Sequence, residues 1–469
     1  MSVAESRKEE LIARLDALPL SRWHYKLVFA GGMGVLLDSF DLLLISFILP
    51  SIALDWKLSS VQMASIGSMG LMGMMLGAMF CGWLADRIGR KKVFILTLLI
   101  FSLSSGVAIF STSLTMLLAL RVICGFGLGA EQPVANTITS EMTPPEYRGR
   151  LLGMQLTGFG VGSVVASLVA IYVIPSFGWK GGFLIGALPA FFVFYLWRNL
   201  PESVRWLVKV GRSQEARAIV EAAEKESGVR SARDVKVSSG STSSVAEKRM
   251  TAAEQFLALW SKEYWRRSLG VWILWFAMVF SFYGLYTWLP SFMVRQGLGM
   301  AKGFATVMAM NIAQIPGIWF ASYFVDRIGR RRTIGIFMVL SAFFAIVFSF
   351  CSTAIQFAAV GFCLMFFLEG AFCMMHIFTT EQYPTQMRAT GYGFGSAFGR
   401  VGGVVAPMVV GILLTTFGNR SGFVYSFGVF AVAFLVGVIA MWTFCPETAK
   451  LSLEIASGEK VKAMSQSAK

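Results

Sequence analysis

Charge is scarce in this chain. Asp, Glu, Lys and Arg make up 14% of its 469 residues, against about 25% in soluble domains, which excludes an ordinary soluble fold. Histidine is rarer still, with only His24 and His376, and the six cysteines (Cys81, Cys124, Cys351, Cys363, Cys373 and Cys445) show no CxxC spacing. Neither a metal site nor a disulfide framework is therefore expected. No Walker-type phosphate loop occurs, so ATP is not expected as energy source or cofactor. The formal net charge of +15 comes from Lys and Arg placed between apolar runs and at the tails. That is a topology signal and not a nucleic-acid footprint. No short apolar segment with a small-residue cleavage site opens the chain, and the first span is expected to be retained.

What is abundant is apolar sequence: 56% of residues are hydrophobic and the mean hydropathy is +0.65. Runs of about 20 apolar residues each suit a membrane span. They fall near 27–50, 62–85, 93–112, 114–138, 150–174 and 180–200, then near 268–292, 302–325, 333–351, 354–379, 390–416 and 421–444. The expected fold class is all-α and integral to the membrane, with twelve transmembrane helices in two six-helix bundles, 27–200 and 268–444. Between them, 201–267 reads as a linker with helices from Ser213 to Glu226 and from Ala252 to Trp265, and a flexible joint at Ser238–Ser244. Basic residues concentrate on one set of loops, so the first 26 residues, this linker and the tail 445–469 are expected to be cytoplasmic.

A repeat fixes the architecture. Asp86-Arg87-Ile88-Gly89-Arg90-Lys91-Lys92 recurs as Asp326-Arg327-Ile328-Gly329-Arg330-Arg331-Arg332, and Glu141, Pro144 and Arg148 recur as Glu381, Pro384 and Arg388. Both pairs are offset by 240 residues (326 − 86 and 381 − 141). Two separate stretches in one register indicate duplication of a six-helix unit, one of the known plans for membrane transporters.

Within the first apolar run, Asp38-Ser39-Phe40-Asp41 places two carboxylates on one helical face. A charge at the bilayer centre costs on the order of 3 kcal/mol, so such residues mark proton or substrate pathways. Arg121 lies at a depth that suits a pairing with Asp41, and Glu131 sits deeper on the same span, ahead of Pro133. In the second half Glu369 and His376 lie two turns apart, and Arg400 sits near mid-span. A guanidinium there offers a bidentate fit to a carboxylate, unless Glu369 neutralises it. Tyr283, Tyr286 and Trp288, with Phe394 before Arg400, offer rings on which a flat aromatic ligand could stack. The glycine runs Gly158–Gly162 and Gly391–Gly395 fall inside spans, where they suit close helix packing.

The loop and Glu-x-x-Pro-x-x-x-Arg motifs resemble the gating motifs of the major facilitator superfamily. Pro201-Glu202-Ser203-Val204-Arg205-Trp206-Leu207 and Pro446-Glu447-Thr448 look like marks of its sugar-porter branch. The span-one Asp-x-x-Asp, the preceding Arg22-Trp23-His24-Tyr25 and the stretch Phe282–Pro290 resemble bacterial aromatic-acid:proton symporters and the related niacin transporters. Ser39 stands where that pattern usually has Gly. The resemblance implies a gate of Asp86, Arg90, Glu141 and Arg148 with Asp326, Arg330, Glu381 and Arg388. It also implies an Arg in the span of Arg400 that serves the substrate. The expectation is a proton-coupled, non-enzymatic symporter in the bacterial inner membrane. It would be monomeric and import nicotinate or a hydroxybenzoate by rocker-switch alternating access, with the proton as coupling ion. A sugar or organic-cation facilitator of the same fold is the alternative, and a non-transporting receptor the alternative from another class.

Overall fold

The computed structural model describes residues 3–144, 146–228, 252–384 and 387–448. All regular structure among them is helical, as lipid demands, because a spanning backbone must satisfy its hydrogen bonds internally. The first half contains α1 (Val3–Asp16), α2 (Arg22–Trp56), α3 (Ser60–Ile88), α4 (Arg90–Ala108), α5 (Leu114–Met142), α6 (Arg148–Gly186) and α7 (Phe192–Asn199). Two short helices of the linker, α8 (Val204–Lys209) and α9 (Ser213–Ser227), follow. The second half contains α10 (Ala252–Leu259), α11 (Trp265–Arg295), α12 (Met300–Ile312), α13 (Gln314–Ile328), α14 (Arg330–Ser349), α15 (Ala354–Glu381) and α16 (Arg388–Phe444). The second linker helix is shorter than expected, because a turn over Trp260–Tyr264 separates α10 from α11. The joint Ser238–Ser244 lies outside the described residues.

Ten helical stretches among the described residues are long and apolar enough to cross a membrane, where the apolar runs suggest twelve. The difference lies in two stretches, Arg148–Asn199 and Thr390–Phe444, of 52 and 55 residues. Each is twice the length a span requires. Each also breaks at one left-handed glycine, Gly178 (φ 65°) and Gly418 (φ 75°), a backbone state that L side chains avoid. These positions are again 240 apart (418 − 178). Gly89 (φ 106°) and Gly329 (φ 105°), in the same register, separate α3 from α4 and α13 from α14. The helix caps repeat too: Ser113 accepts from the Met116 amide and Thr353 from the Gln356 amide.

The chain divides into two compact units. The first comprises Met1–Leu42, Gly73–Ala166 and Lys180–Ala246. In it α2 and α6 cross closely, for a Cβ at Gly158 would lie 2.4 Å from the Gly32 carbonyl oxygen, and one at Gly162 would strike Ser39 Oγ. These glycines serve helix packing, as small residues do in membranes. The linker docks on this unit. Arg14 on α1 makes a two-pronged pair with Glu224 on α9 at 2.8 and 2.9 Å, and Arg205 on α8 grips Asp16 at 2.7 Å.

The second unit comprises Leu43–Met72, Ser167–Trp179 and Glu247–Lys469. Its core is a phenylalanine cluster, Phe292, Phe348, Phe423 and Phe427, with rings 4.8–6.2 Å apart. The 43–72 and 167–179 segments join it through Phe47 against Phe304 (5.2 Å), Ser68 donating to the Val404 carbonyl (2.7 Å) and Asn311 donating to Ser167 (3.1 Å).

Candidate functional site

Three groups of polar residues stand out, and the sequence pointed to part of each. In the first unit, Asp41 on α2 faces Arg121 on α5 across 3.6 Å, and both are 3% exposed. One Asp41 oxygen accepts from Ser105 Oγ at 2.7 Å and the other from Cys124 Sγ at 3.2 Å. Cys124 sits one turn after Arg121, which also reaches its sulfur at 3.5 Å. The expected pairing is thus formed, and α4 adds a hydroxyl that the sequence did not single out. A Cβ at Gly186 would come within 3.2 Å of the same carboxylate. An ion pair buried this deeply is stable only when its remaining lone pairs are satisfied, and Ser105 and Cys124 do that.

One turn earlier on α2 lies a second acidic centre. Asp38 is 4% exposed and close enough to Glu131 to act on it electrostatically. Glu131, fully buried, accepts from Thr97 Oγ1 at 3.0 Å, and its other oxygen lies 3.0 Å from where a Gly34 Cβ would stand. Helices α2, α4 and α5 therefore bring Asp38, Asp41, Arg121 and Glu131 together in one unit.

In the second unit Arg400 on α16 acts electrostatically on His376 of α15 and on Tyr392, two turns before it on its own helix. His376 Nδ1 and the Tyr392 hydroxyl share a 2.6 Å hydrogen bond. Rings line this region in sequence. Phe372 meets His376 edge-on at 5.1 Å, Phe282 stacks on Phe372 at 4.6 Å, and Tyr286 tilts against Phe282 at 4.4 Å. Trp275 stands against His376 at 5.0 Å and is itself held by a 2.9 Å bond to Thr379. Glu369 (4% exposed) acts on Tyr286 (5% exposed), and a buried oxygen of each has no hydrogen-bond partner among the described residues.

Two of the expected rings have other contacts. Trp288 is fully buried and donates to the Pro407 carbonyl at 3.1 Å, so it serves the packing of α11 on α16. Phe394 packs on Phe256 (4.6 Å) and Trp272 (6.4 Å). At about 100° per residue the six-residue step from Phe394 to Arg400 turns about 240°, whereas the eight-residue step from Tyr392 turns about 80°. Tyr392 is the ring that shares Arg400's face, and that arithmetic was available from the sequence. Tyr283 lies against Gly403, where a Cβ would be 2.9 Å from its ring.

The third group is doubled at the linker ends of the units. Arg90 bonds Asp86 (2.7 Å) and Glu141 (3.2 Å), and Ser203 donates to the same Glu141. Glu202 accepts from the first amides of α4, Arg90 N at 2.9 Å and Lys91 N at 3.2 Å, the usual fit of an acid to a helix N-terminus. Gly89 makes room for it, since a Cβ there would come within 2.3 Å of Glu202. In the second unit Arg330 pairs with Glu381 at 3.2 Å, Thr448 donates to Glu381 at 2.5 Å, and Glu447 accepts from the Arg330 and Arg331 amides at 3.0 and 3.1 Å. Glu202, Ser203, Glu447 and Thr448 were read only as branch marks, although their recurrence after each half was the signal. Arg148 and Arg388 donate to the Thr143 and Tyr383 carbonyls, each at 3.4 Å. Among the described residues Arg148 makes no ion pair. The side chain of Asp326 lies outside what is described.

Long apolar helices, duplicated charge clusters at helix ends and two buried polar centres define a membrane carrier. The chain belongs to the sugar (and other) transporter family of the major facilitator superfamily, whose profile matches residues 13–458. It is 40% identical over 445 residues to the niacin transporter of Acinetobacter baylyi, across 95% of this chain and 99% of that one. To the 4-hydroxybenzoate transporter of the same organism it is 29% identical over 437 residues, 92% of this chain and 93% of that one. Among solved structures, the inward open xylose transporter of Escherichia coli shares the fold with a TM-score of 0.70 at 15% identity, over 94% of this chain and 99% of that one. The chain is a transporter of a small molecule and not an enzyme.

Proposed function

We propose that this protein is a proton-coupled symporter that imports a small aromatic monocarboxylate, nicotinate first among them, across a bacterial inner membrane. It would act as a monomer with twelve spans and cytoplasmic termini, by rocker-switch alternating access. The observation that carries the reading is the buried Asp41–Arg121 pair with its Ser105 and Cys124 donors. A carboxylate held by donors that a proton would displace is a switch: neutralising Asp41 dissolves the ion pair and frees Arg121, so proton occupancy and helix packing are linked. Asp38 and Glu131 extend the acidic path along α2.

The second unit supplies the substrate's needs. Arg400 offers a guanidinium to a carboxylate, and Phe282, Phe372, Tyr286 and Trp275 offer ring faces and edges to a flat ligand. The sequence likeness to a niacin transporter supports the choice of acid. The two linker-end clusters act as latches, because Arg90 and Arg330 hold helix ends together through charge-assisted bonds that are broken when the halves rock.

Uptake of radiolabelled nicotinate and 4-hydroxybenzoate into proteoliposomes under an inward proton gradient tests the proposal. Wild type accumulates the acid above equilibrium. Asp41→Asn loses gradient-driven accumulation by about a hundredfold while retaining exchange of labelled for unlabelled acid, since electrostatic coupling of this kind is worth several kcal/mol. Wild-type vesicles that are tight yet take up neither acid overturn it.

A further inference from the structure

His376 is held more tightly than a wall residue needs to be. Phe372 and Trp275 meet its ring edge-on at 80° and 90°, and Tyr392 tilts against it at 5.9 Å while sharing its Nδ1 bond. Trp275 is anchored in turn by Thr379, whose hydroxyl donates to the Met375 carbonyl at 2.8 Å. Three aromatic side chains flank the ring. Its other nitrogen, Nε2, makes no hydrogen bond among the described residues, and the side chain is only half-buried. One ring nitrogen is thus committed and the opposite one is left for a ligand.

The neighbours also decide which proton that atom carries. The Tyr392 hydroxyl lies 2.6 Å from Nδ1, and a phenol is a stronger donor than a neutral imidazole N–H. A Tyr392 O–H that donates to Nδ1 places the single proton of a neutral imidazole on Nε2, which makes Nε2 a fixed N–H donor.

We propose that His376 Nε2–H reads the ring nitrogen of a pyridine carboxylate, and that this contact sets the preference of the carrier for nicotinate over benzoate. The inference rests on the reading of Arg400 as the carboxylate anchor. Nicotinate carries its carboxylate and its ring nitrogen meta to each other on one rigid ring, so a single ligand can engage the guanidinium and the imidazole together. Benzoate presents a C–H where the nitrogen would be and leaves the N–H unanswered. A site built around a polar partner rejects the analogue that lacks it more strongly than an apolar pocket could. Tyr392, Trp275 and Thr379 are positioning residues, acting through His376.

The test is the ratio of half-maximal inhibition by benzoate to that by nicotinate, measured against labelled nicotinate uptake in proteoliposomes. Wild type should give a ratio of about ten to a hundred. His376→Leu should bring it to about one, and Tyr392→Phe, which removes one oxygen and frees the ring to change tautomer, should give a value between. His376→Gln, which keeps an N–H donor, should recover part of the preference. Where His376→Leu does not reach the membrane, Tyr392→Phe carries the test alone. A ratio that stays at the wild-type value in Tyr392→Phe and His376→Gln, or in His376→Leu where it is made, overturns the inference and leaves the transport reading standing. So does a wild type that imports both acids equally. A wild type that transports neither acid overturns the transport reading, and the role of His376 with it.

Discussion

The linker ends of the two units are near copies, whereas their middles share nothing charged. Arg90, Glu141, Glu202 and Ser203 do in one unit what Arg330, Glu381, Glu447 and Thr448 do in the other, with almost equal distances. Moving by the repeat offset of 240 residues, Asp38, Asp41, Arg121 and Glu131 fall on Met278, Ser281, Gly361 and Ala371. In the opposite direction Glu369, His376 and Arg400 fall on Gly129, Asn136 and Gly160. A duplicated helix-end cluster suits a mechanical task needed twice. Polar centres that differ this completely suit a division of labour, with acids, hydroxyls and a thiol in one unit and a cation among aromatic rings in the other.

The sharpest way to break that division is to exchange the fates of its two arginines. Arg400→Ala should weaken nicotinate binding by about 3 kcal/mol, more than a hundredfold in Kd, because truncating one partner of a desolvated charge pair costs that much. Arg121→Ala should leave Asp41 buried without its cation and abolish proton-driven accumulation, while Kd changes less than about tenfold. Equilibrium binding to detergent-solubilised protein reads the first quantity, and proteoliposome uptake the second. If Arg121→Ala costs the affinity and Arg400→Ala spares it, the assignment of roles to the two units is reversed.

A smaller effect sharpens the other side of the comparison. Arg90→Lys and Arg330→Lys keep the charge but give up the planar fork that bridges two carboxylates or a carboxylate and a carbonyl. Each should slow transport by about tenfold, for a loss of roughly 1–2 kcal/mol, with little change in binding. Equal slowing supports a shared mechanical task. An effect confined to one unit would show that the duplication has outlived its use.

What could be read from the sequence follows the same division. Duplication, span positions, the Asp41–Arg121 pairing and the Arg90 and Arg330 clusters were legible, because register and hydropathy fix them. Ser105 and Thr97 were not, since a single hydroxyl in an apolar span carries no pattern and becomes meaningful only when α4 packs against α2 and α5. Tyr392 is hidden inside a glycine run, and Phe394, six residues before Arg400, lies off the face that Arg400 occupies on α16. Trp288 looked like a stacking surface in the sequence, but its indole N–H has the Pro407 carbonyl as partner. No periodicity announces such a bond between α11 and α16.

Each unit also has a short helix docked ahead of its first long one, α1 held by an ion pair and α10 by the Phe256–Phe394 contact and the Thr390–Gln255 bond. The Arg14–Glu224 pair is largely buried and two-pronged, so its coupling in a double-mutant cycle should reach about 1–2 kcal/mol, above the range of exposed pairs. The hydrogen bond that Arg14 donates to Glu224 is the largest cause of an upward shift of its guanidinium. A raised value in a cation contributes stability at every pH below its ordinary value, and loses it only as the pH climbs past the folded one. The drop in Tm caused by Arg14→Gln should therefore be the same at about pH 6 and about pH 9. Neighbouring Glu221, exposed and shifted downward chiefly by its bond to Arg217, has the opposite sign. Its contribution is present above the ordinary glutamate value and fades only in acid. An Arg14→Gln effect that disappears between pH 6 and 9 would mean that α1 is held by something that titrates there, and would remove Arg14 as the clasp.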